Sequence, residues 1–245
     1  MLGLNSAKLN FIVFLCKLSV YMLSFFKDYK KFAIVFGVIS VIIIILIYNT
    51  LNVYKPLNIY QPAMVSTELV DSTIQYQKKY HKIANFSLTN QNGKTITQED
   101  YKDKIYVADF FFTTCQTICP IMTDHMADIQ EKIMNDDEVM LLSHTVTPKI
   151  DTVEQLKHYA KLKGVNDSKW NLVTGDKKQI YDLARKSYLA VKNNEFGGEF
   201  DMIHTENFML IDKKRQIRGF YDGTNADDID RLLNDIKILK KEYSK

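Results

Sequence analysis

Proline is scarce in this 245-residue chain, and where it is missing matters. Only Pro56, Pro62, Pro120 and Pro148 occur, so none lies between residues 62 and 120 and none follows residue 148. Cysteine is scarcer still: Cys16 stands in the N-terminal segment, and Cys115 and Cys119 are the only two beyond it. A thiol peroxidase needs a proline-bearing, arginine-assisted pocket ahead of its attacking cysteine, and the first proline gap excludes one. Charge of one sign is also lacking. The formal net charge is +3 with no basic face, which gives no case for nucleic acid. No internal repeat or low-complexity tract is present.

Charge is absent altogether from Phe32 to Tyr54, and the run Val41-Ile42-Ile43-Ile44-Ile45-Leu46-Ile47 lies inside that stretch. About twenty apolar residues span a bilayer, so 32–54 reads as a transmembrane anchor. Lys8, Lys17, Lys27, Lys30 and Lys31 precede it against the single acid Asp28. The positive-inside rule puts residues 1–31 in the cytoplasm and the rest of the chain outside, which in a bacterium is the periplasmic side of the inner membrane. No small-residue cleavage site follows the apolar run, so it reads as an uncleaved anchor. Leu9 to Phe26 is apolar apart from Lys17 and offers a second span, an interfacial helix or a start at Met22; one span is the favoured reading. Residues 55–77, with Pro56 and Pro62, read as a linker, and 78–245 as one domain large enough for a core.

Within that domain Phe110-Phe111-Phe112-Thr113-Thr114-Cys115-Gln116-Thr117-Ile118-Cys119-Pro120 runs from an apolar strand into a helix. Cysteines four apart are about one helical turn apart, so both sulfurs can face the same way. Pro120 suits the first helical position, where a missing N–H costs no bond. Thiols at the positive end of a helix are stabilised as thiolates, hence nucleophilic and competent for metal. Downstream, Asp201-Met202-Ile203-His204-Thr205-Glu206-Asn207 precedes the strand Phe208 to Ile211. Two thiolates and an imidazole form a soft three-coordinate set that suits Cu(I), with the imidazole also accommodating Cu(II). A closed zinc site wants a fourth protein ligand, and none is evident.

The Thr-Cys-x-x-x-Cys-Pro block, the distal His-Thr-Glu-Asn-Phe-Met-Leu-Ile-Asp block and the segment Trp170 to Asp176 resemble the Sco/SenC family over roughly Lys78 to Lys240. That resemblance implies a membrane-anchored, thioredoxin-like copper-binding protein that helps assemble the copper A centre of cytochrome c oxidase. Its copper ligands carry over onto Cys115, Cys119 and His204. Its implied partners are the copper A domain of oxidase subunit II, other copper chaperones and thiol–disulfide reductases. One departure is Thr147 before Pro148, where the family pattern calls for Asp.

Thiol–disulfide exchange is the alternative, with Cys115 and Cys119 as a redox-active pair; it could reduce the cysteines of the oxidase copper site. Oxidoreductases of the thioredoxin type have two residues between their cysteines and a cis-proline before the facing strand. Here three residues intervene, and His204 stands near where that proline belongs. A metal ligand in place of a substrate-clamping proline favours copper.

The architecture expected is α/β: a thioredoxin-like fold with an N-terminal β-hairpin and an inserted βα unit, preceded by one transmembrane helix. Asn92-Gly93 marks the hairpin. Ile105 to Phe112, Val139 to Val146 and Trp170 to Thr174 read as strands, and the first of these as buried on both faces. Met122, Met126, Ile129 and Ile133 form one buried helical stripe, which reads as core rather than a copper relay. Asp151 and Thr152 look like caps for a helix ending at Gly164, and Asp176 for the next. Ile229, Leu232, Leu233, Ile236 and Leu239 line a last amphipathic helix. His144 reads as a satisfied core or edge residue, His125 as a solvated helix position, and His81 and His158 as surface.

Overall fold

The computed structural model describes residue 17 and residues 29–51, 56–66, 70–191 and 205–244; the chain divides into two units, Met1–Lys55 and Pro56–Lys245. In the first unit helix α1 spans Lys30–Leu51. Its stretch Lys30–Tyr48, of mean hydropathy 2.7, is long and apolar enough to cross a membrane. Ile42, Ile44 and Leu46 are all exposed, on a helix that is apolar all round.

The second unit is one seven-stranded sheet in the order β2-β1-β5-β4-β3-β6-β7. Strands β1 (Ser87–Asn90) and β2 (Thr95–Thr97) form the hairpin. Gly93 takes φ +74° at its turn, and the Asn90 side chain accepts the N–H groups of Asn92 and Lys94. Next come β3 (Ile105–Phe111), α2 (Ile118–Lys132), β4 (Val139–Thr145), α3 (Val153–Leu162) and β5 (Trp170–Thr174), with β3, β4 and β5 parallel. Helix α4 (Lys177–Asp182) runs on into a π turn at Leu183–Ser187. The antiparallel pair β6 (Asn207–Ile211) and β7 (Ile217–Asp222) and helix α5 (Ala226–Tyr243) complete the domain. This is the thioredoxin-like pattern, with the hairpin and the added βα unit on one side of β4.

Side chains alternate across the strands and give the sheet two cores. On one face Ile105, Val107 and Phe111 of β3 meet Met122, Met126 and Ile129 of α2, Leu156 of α3, and Leu232 and Leu239 of α5. On the other, Tyr106, Ala108 and Phe110 meet Phe86, Ile180, Ala184 and Tyr188. The methionine stripe is core, as its spacing indicates.

Residues 56–66 lie on the domain. The buried Arg218 bonds Asp212 at 3.1 Å and Glu242 at 2.5 Å, and donates to the carbonyls of Leu57 and Asn58. Tyr60 N–H reaches the Ile217 carbonyl at 2.9 Å. Several local expectations shift. Helix α2 starts at Ile118, so Pro120 is its third residue rather than its first; the N-terminal N–H it lacks has no intrahelical partner there either. Thr152 caps α3 and Asp176 caps α4, but Asp151 is fully buried and bonds elsewhere. His81 is not at the surface: it is 5 % exposed, with Nε2 on the Ser187 carbonyl at 2.7 Å. Neighbouring lysines point outward while the ring covers the π turn.

Candidate functional site

The parallel strands β3 and β4 deliver their carboxyl ends to one edge of the domain, and the chain turns there through Thr113 and Thr114 to Cys115. Cys115 is half-buried, and its N–H bonds the Phe112 carbonyl at 3.3 Å. Cys119 is the second residue of α2 and is buried at 3 % exposure. Both thiols are free.

Their environments differ sharply. Desolvation opposes the Cys115 thiolate, yet it is outweighed by hydrogen bonds from the Thr117 hydroxyl at 3.5 Å, from the N–H groups of Cys119 and Thr117, and from the Cys119 thiol; together they hold Cys115 at about 7. The Cys119 thiol is pushed up to about 12, chiefly by burial, then by the neighbouring Cys115 and Asp109. One half-buried sulfur is thus primed to lose its proton and a buried one keeps its own, with the two within hydrogen-bonding reach. Such a pair can form a disulfide, or give two soft donors to one ion once both are deprotonated.

Beneath Cys119 the packing is tight. The Thr123 hydroxyl donates back to the Cys119 carbonyl at 2.8 Å and meets the Tyr159 hydroxyl at 2.9 Å. The Tyr159 ring stacks on Phe111 at 5.6 Å. Asp109, on the same face of β3, is 1 % exposed and has one oxygen, Oδ1, without a hydrogen bond. Burial raises its carboxyl to about 7. Reading Ile105 to Phe112 as an apolar run passed over this residue; a carboxylate in the middle of a strand buried on both faces was the available signal.

His204 lies outside the described residues. Strand β6 is antiparallel to β3, with Ala108 opposite Met209 and Tyr106 opposite Ile211, so Asn207 at its start lies toward the cysteine end of the sheet. Among the described residues no three His, Cys, Asp or Glu side chains are grouped for a metal, and the two sulfurs are the donors present. They fit copper in chemistry, being adjacent, soft and unoxidised. The remaining histidines are elsewhere. His144 is wholly buried between Phe110, Phe86 and Tyr188. Its Nδ1 lies 3.2 Å from the Asp109 carbonyl, but Nε2 has no partner, so it is a core residue without being a fully satisfied one. His125, read as solvated, is half-buried with Nδ1 at 2.7 Å from the Gly223 carbonyl.

Residues 74–241 match the model of the SCO1/SenC family. The "SCO1 protein homolog" of Bacillus subtilis is 34 % identical over 160 residues, which are 64 % of this chain and 82 % of that one. Among solved structures, BsSco, described as a member of the Sco family of cytochrome c oxidase assembly proteins with a disulfide switch, is 33 % identical at a TM-score of 0.56, covering 66 % of this chain and 95 % of that one. Arabidopsis thaliana ScoI, solved with copper bound, is 26 % identical at a TM-score of 0.51, covering 63 % of this chain and 97 % of that one.

Proposed function

The chain belongs to the SCO1/SenC family, and we propose that it is a membrane-anchored copper chaperone serving the assembly of the copper A centre of cytochrome c oxidase. Copper is its cargo. Cys115 and Cys119 supply two thiolates and His204 an imidazole, and oxidase subunit II is the recipient. Helix α1 anchors the protein in the cytoplasmic membrane of a bacterium, with the domain on the outer side.

The observation that carries this reading is the thiol pair itself. A sulfur held at about 7 lies beside a buried one, at the sheet edge toward which β6 begins. Copper captured there displaces the Cys119 proton, so loading releases protons and strengthens as pH rises. The copper-bound state of the Arabidopsis thaliana relative and the oxidase-assembly role stated for BsSco support the same reading.

The test is a Cu(I) competition titration of the full chain in detergent. One copper per monomer is expected for the reduced protein and none after oxidation to the disulfide, which has no thiolate to offer. His204→Ala should cripple binding as severely as Cys115→Ala. Full affinity in the His204 variant would sink the three-ligand site. In cells, near-normal copper A content in a His204→Ala strain would move the assignment to thiol–disulfide exchange, because imidazole takes no part in sulfur exchange.

A further inference from the structure

Thirty-six residues past Cys115 stands a carboxylate with an unusual set of partners. Asp151 is 0 % exposed and, among the described residues, is met by four donors, none of them cationic. The Thr113 hydroxyl donates to its Oδ1 at 2.5 Å. The Thr113 N–H at 3.3 Å, the Thr147 hydroxyl at 2.9 Å and the Thr145 hydroxyl, in a short bond, all go to Oδ2. A carboxylate offers about four lone-pair sites; three of these donors converge on Oδ2 and one meets Oδ1.

The donors come from two segments that the fold must bring together. Thr113 lies in the turn that carries Cys115, two residues ahead of it. Thr145 ends β4, and Thr147 lies in the loop that leads to α3. Gln155 on α3 adds a bond to the Thr113 hydroxyl at 3.1 Å. Thr147 is the residue that stands where the family resemblance calls for Asp. As a hydroxyl it donates to Asp151 instead of setting a second carboxylate against it.

We propose that Asp151, through Thr113, Thr145 and Thr147, is a positioning residue that holds the Cys115 turn in the geometry at which both sulfurs meet one copper ion or one another. It does not touch the cargo. A helix cap would satisfy one N–H of its own helix; this side chain instead ties the cysteine turn to the end of the neighbouring strand. A ligand loop fixed in advance loses less freedom when the metal arrives, and supporting bonds of this kind are typically worth 10–100-fold in metal affinity. The copper part rests on the function proposed above; the thiol part does not.

The test uses the full chain in detergent with Asp151→Asn, Thr145→Val, Thr145→Ser, and Ile129→Val as a control in the core of the same face. Valine keeps the threonine shape without its hydroxyl, and serine keeps the hydroxyl. Thr145→Val and Asp151→Asn should weaken Cu(I) about tenfold or more in competition titrations, and Thr145→Ser should restore most of the loss. Ile129→Val should lower the melting temperature and leave affinity alone. A second readout needs no copper: the equilibrium in which Cys115 and Cys119 thiols and oxidised glutathione give the Cys115–Cys119 disulfide and two reduced glutathiones. Its constant should change about fivefold or more in Thr145→Val and return in Thr145→Ser. Should the native chain bind no copper, the proposed function falls while this equilibrium still tests the clamp. Should Asp151→Asn fail to fold, Thr145→Val carries the test alone. An unchanged glutathione equilibrium in a folded Thr145→Val protein overturns the proposal, as does unchanged copper affinity in a native chain that binds copper.

Discussion

Two neighbouring strands each bury a titratable side chain, and they bury them on opposite faces of the sheet. Asp109 of β3 pairs in register with Ser143 of β4, and Phe110 with His144, so the carboxylate and the imidazole point to different cores. On the His144 face the group is enclosed by aromatic rings, and burial lowers it to about 4, leaving a neutral ring that packs. On the Asp109 face burial raises the carboxyl to about 7, and Cys119 shares that environment. Burial acts on both; what separates packing from chemistry is the atom next door. A perturbed group marks a functional site only where a reactive partner shares its pocket.

The largest contrast to break is chemical. If the proposed three-ligand site holds, Cys115→Ala and Cys119→Ala should each cut Cu(I) affinity by about a thousandfold or more, since each removes one of its two thiolates. His144→Phe should leave stoichiometry and affinity unchanged in the same titration. A copper defect in the His144 variant would mean that the two faces are not independent.

Adjacent phenylalanines sharpen the comparison. Phe110 and Phe111 are both 2 % exposed and belong to opposite cores. Phe110→Ala and Phe111→Ala should each cost about 3–5 kcal/mol in denaturant unfolding, the usual range for deleting a buried ring. Only Phe111→Ala loosens the Tyr159 stack below Cys119. Alkylation of Cys119 under native conditions should therefore speed up in that variant and not in the other.

How much of this could be read from the chain alone follows from the reach of each interaction. The Asn92-Gly93 hairpin and the caps Thr152 and Asp176 rest on bonds to residues within a few positions, and all were legible; the strand Trp170–Thr174 pairs with distant strands but was legible through its own run of buried residues. The cysteine pair was legible through its spacing. Asp151, His81 and Asp109 were not. Asp151 finds Thr113 at a separation of 38 residues and His81 finds Ser187 at 106, and the packing of the sheet decides those meetings. The π turn after Asp182 replaces the plain continuation of a helix, because Tyr188, Leu189 and Ala190 bury themselves just beyond it. Such tertiary demands leave no local pattern.

Asp109 should impose a pH dependence on folding. Its carboxyl is held near 7 in the native state and near its ordinary value of 3.8 when unfolded, so between those limits the native state binds the extra proton. Stability then falls as pH rises from about 4 to about 7 and stays lower above that. Asp109→Asn removes the penalty. It should gain on the order of 2–4 kcal/mol at pH 8, less at pH 5, with unfolding curves measured at both. Equal gains at the two values would show that Asp109 does not change its protonation on folding.

His144 should act in the opposite sense and more weakly. Its folded value is depressed to about 4 from 6.5, so below 6.5 the unfolded chain takes up a proton that the native core refuses. Stability is fully present above about 6.5 and drains away as pH falls toward 4, reaching about 1–3 kcal/mol. His144→Phe keeps an aromatic ring among Phe86, Phe110 and Tyr188 and also removes the unpartnered Nε2. As pH falls from 6.5 to 4 the Asp109 penalty shrinks while the His144 stabilisation drains away, so the two partly cancel in the native protein. Asp109→Asn should expose the histidine slope, and His144→Phe the aspartate slope. The double variant should be nearly flat over that window with respect to these two groups. If the single variants keep the slope of the native protein, the two faces do not titrate as their burial requires.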